Sequence, residues 1–206
     1  MSKKRSMTLA VFALFAQLWS APTLMAGAPT EQVRQTADKM LSVLQDGRLR
    51  AADNQKERRD QLRQIIATRF DFSEMAKRSL GSHWQRTSGD EQRQFVELFT
   101  ELLERSYLDQ IEAYDGEKIV YGRESLNQDQ ADVETKILTK KGEEFSLNYK
   151  LRSAAGDWKI YDVVIENVSL VNNFRSQFNR ILANASMAEL IKRLQSKALD
   201  VKAVRG

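Results

Sequence analysis

The chain has 206 residues, no cysteine, a single histidine and a formal net charge of +4, with 42% hydrophobic and 29% charged side chains. The lack of cysteine excludes disulfides, thiolate metal sites and thiol nucleophiles, so stability must come from an apolar core, and the length suffices for one such domain. Three of the basic residues lie in the first 26 positions with no acid among them, so the charge falls from +4 to +1 over the rest, and a nearly neutral chain lacks the clustered positive surface that nucleic acid requires.

Lys3, Lys4 and Arg5 precede an apolar run from Met7 to Trp19 that is too short to span a bilayer comfortably and ends in small residues, the pattern of a secretory signal. Leu24 and Ala26 occupy the third and first positions before a cut after Ala26, whereas a cut after Ala28 would set Pro29 beside the scissile bond. The alternative is an uncleaved anchor. The expectation is a signal peptide over 1–26 and one exported, soluble domain over 27–206, since no proline follows Pro29 to mark a linker and no repeat is visible. With no cysteine at the cleavage site, a lipid-tethered form is excluded as well.

After Thr30, Val33, Ala37, Met40, Leu41 and Leu44 recur at helical spacing, and after a polar stretch over 46–55 so do Leu62, Ile65, Ile66, Arg69 and Phe70. Arg58, Arg59 and Arg63 interleave with Glu57 and Asp60 and read as a solvated face. Asp71-Phe-Ser-Glu74 looks like a helix start, and Ser88-Gly-Asp-Glu91 has capping-box spacing. The second cap opens the longest helix, with an apolar stripe of Phe95, Phe99, Leu102, Leu103, Tyr107, Ile111 and Tyr114 that ends at Asp115-Gly116.

From Glu117 the period changes to two, which predicts four strands: Lys118 to Leu126, Ala131 to Thr139, Glu143 to Arg152 and Asp157 to Glu166. Their separators are short and rich in turn formers, so the strands should pair as an antiparallel meander. Phe145, Leu147, Tyr149 and Leu151 alternate with polar residues, leaving one apolar face that helices must cover. Helix resumes at about Ser169, with Leu170, Val171, Phe174 and Phe178 on one side, and Ser186-Met-Ala-Glu189 caps a last helix bearing Leu190, Ile191 and Leu194. The fold class is α+β.

The catalytic inventory is thin. His83 is the lone imidazole, set between Gly81-Ser82 and Trp84 in what reads as a loop, and no serine matches it in a nucleophile motif. With no cysteine and no spaced Asp/Asn/Gly loop, neither a zinc nor a calcium site suggests itself. The excess lies in large apolar side chains on facing elements: Phe72, Met75, Leu80 and Trp84; Phe95, Phe99, Leu102, Leu103 and Tyr107; Phe145, Leu147 and Tyr149; Val163 and Ile165; Leu170, Val171, Phe174 and Phe178. Such stripes describe a packed core or the wall of a hollow one, and the residues alone leave both open.

Two blocks carry a resemblance: Trp158-Lys-Ile-Tyr-Asp-Val-Val-Ile-Glu-Asn-Val-Ser-Leu-Val-Asn-Asn-Phe-Arg-Ser-Gln-Phe178 and Phe70-Asp-Phe-Ser-Glu-Met-Ala-Lys-Arg-Ser-Leu-Gly-Ser-His-Trp84. The chain resembles the MlaC family of periplasmic phospholipid-binding proteins over a span from about Glu31 to Leu194. The resemblance implies a curved four-stranded sheet covered on one face by helices, in the manner of a nuclear-transport-factor-like cone. It also implies an internal cavity that takes acyl chains, walled by the apolar residues just named, and no cofactor. It further implies a periplasmic carrier that maintains outer-membrane lipid asymmetry. The implied partners are an outer-membrane lipoprotein–porin complex and an inner-membrane ABC transporter with a substrate-binding ring. Asn167 stands where the family commonly has glycine, a turn that asparagine tolerates, and Phe174 where tyrosine is common. Arg175 and Arg180 could meet phosphate at the rim or partner acids, or else be solvent-exposed or pair with Asp162 or Glu166. The rival readings are a solid-core interaction module or chaperone, and a lipid hydrolase built on His83.

Overall fold

Residues 28–197 are described in the computed structural model, so the expected signal peptide over 1–26 lies outside them. The first stripe forms helix α1 (Ala28–Gln45), which begins two residues before Thr30. Glu124 of the sheet accepts hydrogen bonds from the Thr30 amide (2.8 Å) and hydroxyl (2.5 Å), placing a carboxylate at the positive end of the helix. A short 3₁₀ turn (Ala52–Asn54) leads to α2 (Gln55–Arg69). Asp71 then caps α3 (Phe72–Leu80), accepting from the Glu74 amide at 2.9 Å. The same carboxylate pairs with Arg152 at 2.5 Å, and its own amide donates to the Ile160 carbonyl at 2.8 Å, so the α2–α3 joint is fastened to the sheet.

After a second 3₁₀ turn (Gly81–Arg86), α4 (Gly89–Glu112) opens with both halves of the capping box present, Ser88 and Glu91 each satisfying the other's backbone donor. It ends at Glu112 rather than running on to Gly116, because the carbonyls of Asp109 and Ile111 are taken by the amides of Ala113 and Tyr114 in a tightened last turn.

The meander is β1 (Lys118–Asn127), β2 (Gln130–Leu138), β3 (Glu144–Ala154) and β4 (Asp157–Ile165), antiparallel throughout. A fifth strand, β5 (Val168–Ser169), extends the expected four to an open sheet of order β1-β2-β3-β4-β5. Glu166 and Asn167 both take positive φ (46° and 65°), the mirror-image turn that folds a chain straight back on itself. Val168 therefore pairs with Ile165 before α5 begins.

The register slips between Lys150 and Leu151 opposite β4, where Tyr161 is the extra residue. This bulge puts even-numbered Trp158 and Ile160 and odd-numbered Val163 and Ile165 into the same interior. Ser169 caps α5 (Leu170–Leu182) and Ser186 caps α6 (Met187–Gln195).

Two apolar clusters result. The larger joins α3, α5, α6, α4 from Phe95 to Leu103, Val33 of α1 and the sheet. At its centre Phe95, Phe99, Phe174 and Phe178 have no exposed surface, with ring centroids 5.2–5.9 Å apart. The smaller gathers Val43, Leu44, Leu49, Leu62 and Leu108 where α1, α2 and the second half of α4 meet.

Candidate functional site

Between these clusters lies a cavity of about 830 Å³, toward the upper end of the ~300–1,000 Å³ usual for sites that enclose a small molecule. Its walls come from three directions. Helix α1 supplies Val33, Ala37, Met40, Leu41 and Leu44, helices α2 to α4 supply Ile66, Phe72, Met75, Leu103, Tyr107 and Ile111 with Phe70 at the α2–α3 joint, and the sheet supplies Ile119, Ile137, Phe145, Leu147, Tyr149, Ile160, Val163 and Ile165. Leu170 closes it at the start of α5. Exposed Gln64 and Ala67 on α2 and Gln110 and Ala113 at the end of α4 also line it, which sets the rim between these two helices.

The candidate wall residues divide. Phe72, Met75, Leu103, Tyr107, Phe145, Leu147, Tyr149, Val163, Ile165 and Leu170 line the cavity. Leu80, Phe95, Phe99, Leu102, Val171, Phe174 and Phe178 do not; they are buried in the filled cluster, with Trp84 half-buried against it. The physical reason lies in α4. Helix α4 packs on α3 and its stacked Phe95 and Phe99 interlock with the phenylalanines of α5, leaving no room for a guest, whereas from Thr100 onward one side of it faces the gap beneath α1 and α2. The stripe of α1 and residues such as Ile66, Ile119, Ile137 and Ile160 complete the walls; their apolar spacing was visible, but nothing in it told a cavity wall from a core face.

Arg58, Arg59 and Arg63 are not a merely solvated face. Arg58 and Arg59 both reach Glu112 (2.9 and 2.6 Å), Arg59 also reaches Asp109 (2.6 Å), and Arg63 pairs with Glu104 (2.9 Å), so ion pairs bridge α2 and α4 beside the rim. At its other end α2 is held by Arg69, which donates to the Thr36 hydroxyl at 3.1 Å, to the Trp158 carbonyl at 2.6 Å and to Gln32. Burial pushes the Arg69 guanidinium below its ordinary pKa, countered by Asp157.

Deep on the sheet wall, burial pushes the Tyr149 phenol well above its ordinary pKa, so it is neutral across the physiological range. Arg175 donates to the Arg78 carbonyl at 2.8 Å and lies over Gly81. Asp162, considered as its ion-pair partner, instead accepts from the Ser169 hydroxyl (2.5 Å) and the Val171 amide (3.0 Å) at the start of α5. Arg180 is exposed. His83 sits half-buried in the second 3₁₀ turn, its carbonyl accepting from Thr87 at 2.9 Å. Among the described residues no group of three His, Cys, Asp or Glu side chains is placed to hold a metal, and no helix is long and apolar enough to cross a membrane.

Three comparisons bear on this architecture. A family model described as MlaC protein matches residues 34–196. The chain is 25% identical over 200 residues to the intermembrane phospholipid transport system binding protein MlaC of Haemophilus influenzae, covering 95% of this chain and 94% of that one. It is 24% identical over 158 residues to the toluene tolerance protein ttg2D of Pseudomonas putida, covering 76% and 74%. In fold it matches a phospholipid-binding protein of Ralstonia solanacearum, solved in complex with a phospholipid, at a TM-score of 0.73 and 22% identity over 82% of this chain and 96% of that one.

Proposed function

The chain belongs to the MlaC family, and from that footing and the cavity we propose that it is a periplasmic phospholipid carrier. It holds acyl tails between sheet and helices and leaves the head group at the rim between α2 and α4. The carrying observation is the apolar cavity itself, roofed by α1 and α2 and floored by the inner face of the sheet. Two ordinary acyl chains present on the order of 30 methylenes, and hiding them at about 0.8 kcal/mol each removes some 20 kcal/mol or more of unfavourable hydration. Free lipid therefore scarcely crosses water unaided, and enclosure of the tails is the whole task of the protein. A charged head group buried unpaired would cost several kcal/mol. It stays in water at the rim, and selectivity among head groups is weak.

The same magnitude implies that loading and unloading require partners that reshape the pocket. We assign these roles to an outer-membrane lipoprotein–porin complex and to an inner-membrane ABC transporter with its substrate-binding ring, acting together to keep the outer membrane asymmetric. The walls are the residues that line the cavity, the curved sheet and its helices act as a cone around the tails, and residues 1–26 direct export. No covalent step is involved, so His83→Ala leaves lipid binding and transfer intact. Native mass spectrometry of protein purified from the periplasm without detergent tests the reading. A stoichiometric phospholipid adduct is expected, and a clean unliganded mass with no uptake from phospholipid vesicles would overturn it in favour of a module that works by its surface.

A further inference from the structure

The polar side chains of the cavity wall are accounted for, with one exception. Thr36 and Thr100 return their hydroxyls to the carbonyls of Gln32 (2.9 Å) and Val96 (2.8 Å) in their own helices. Arg63 and Glu104 pair with each other, Tyr114 accepts from Gln45 at 3.3 Å, Glu117 accepts from the Asp115 amide at 2.8 Å, and Tyr107 too has a partner. Gln64 and Gln110 are at the exposed rim. Tyr149 is different: among the described residues its hydroxyl has no hydrogen-bond partner, although the side chain lines the cavity. It stands on β3, an interior strand of the sheet, and its cross-strand neighbours are Val133 and Val163, both buried and apolar. Burial, and to a smaller degree the nearby Tyr121 phenol, disfavour its ionisation, so it retains its donor. Tails that fill the cavity would leave this donor unmatched, which is costly, so the loaded site is incomplete unless the guest supplies an acceptor.

Resting on the carrier reading, we propose that Tyr149 is a specificity-determining residue whose hydroxyl donates a hydrogen bond to an ester carbonyl of the enclosed lipid. The chemistry selects that acceptor. Acyl tails carry no polar atom and the phosphate belongs at the rim, whereas the ester carbonyls sit at the top of the tails and travel with them into the cavity. A water molecule can satisfy the phenol while the cavity is empty, and the tails displace it on loading, so the carbonyl restores a bond that would otherwise be lost. Ester-linked lipids are thereby favoured over ether-linked ones of the same tail length, which lack the carbonyl, and this selectivity is independent of the head group.

The test is a double-mutant cycle that sets wild type and Tyr149→Phe against dipalmitoyl phosphatidylethanolamine and its dihexadecyl ether analogue, with affinity read by competition for a fluorescent lipid. The expected result is a loss of about three- to tenfold for the ester lipid in the variant with no loss for the ether lipid. Equal losses for both lipids, or none for either, would overturn the assignment, the first by showing that the ring acts through packing alone. If wild type binds neither lipid, the carrier reading itself fails, which is a separate result. Should Tyr149→Phe not fold, the infrared ester-carbonyl band of the lipid bound to wild type decides. A component shifted to lower wavenumber than in an apolar solvent supports the bond, and an unshifted band refutes it.

Discussion

Leu147→Asp is the sharpest probe of whether the gap beneath the helices holds acyl tails. Leu147 is half-buried because its side chain faces the cavity, and its neighbour across β3 and β4 is Ile165, which is apolar and buried. An aspartate there is hydrated while the cavity is empty, so the unliganded protein should remain folded, as a thermal melt will report. Loading with tails removes that water, and a lone carboxylate enters an apolar site only by taking up a proton. From an ordinary pKa of about 3.9, protonation at pH 7 costs about 4 kcal/mol, or roughly a thousandfold in affinity; at pH 5 it costs about 1.5 kcal/mol, or roughly tenfold. The burial of the neutral carboxyl and the lost leucine contacts add a penalty of a few kcal/mol that does not depend on pH. The affinity ratio of variant to wild type, measured with a fluorescent phospholipid at both pH values, should therefore recover by about a hundredfold on acidification. A ratio that is the same at both pH values, or no loss at pH 7, would refute the claim that tails cover this wall.

Phe99→Ala removes the ring that touches Phe95, Phe174 and Phe178 in the filled cluster. It should lower stability in chemical denaturation by about 3–5 kcal/mol while the folded fraction still carries lipid, since Phe99 does not line the cavity. Glu112→Gln deprives Arg58 and Arg59 of the carboxylate they share. A loss of about 1.5–3 kcal/mol is expected in chemical denaturation, and an unchanged stability would show that the shared carboxylate does not tie the two helices together. Gly81→Ala places a side chain at φ +56°, ψ −126°, with its Cβ 3.2 Å from the Arg175 guanidinium. The cost should be about 1–3 kcal/mol, read as a lowered melting temperature, and an unchanged melt would show that the turn relaxes freely.

Much of the architecture was legible because it is written in local chemistry. The capping box at Ser88 and Glu91 and the caps at Asp71 and Ser186 sit where their spacing put them, since each side chain satisfies a backbone donor only a few residues away. The four long strands fall within two residues of their expected ends, because alternation and turn residues act over the same short range. Strand β5 was missed for a related reason: Val168 and Ser169 are too few to show a period, and only the left-handed turn at Glu166 and Asn167 brings them back against β4.

The candidate site was legible only in part. The chain by itself determined that it lacks cysteine chemistry, that it is α+β, that helices must cover one face of a meander and, through two blocks of residues, which family it joins. Tertiary structure alone decided which apolar side chains face empty space. Phe99 and Leu103 belong to one stripe of one helix and are both buried, yet one interlocks with phenylalanines from α5 while the other looks into the cavity. It likewise turned Arg58, Arg59 and Arg63 from a charged face into ties between α2 and α4. Periodicity records which way a side chain points along its own element, whereas a cavity depends on the distance between elements remote in sequence, which no local pattern encodes.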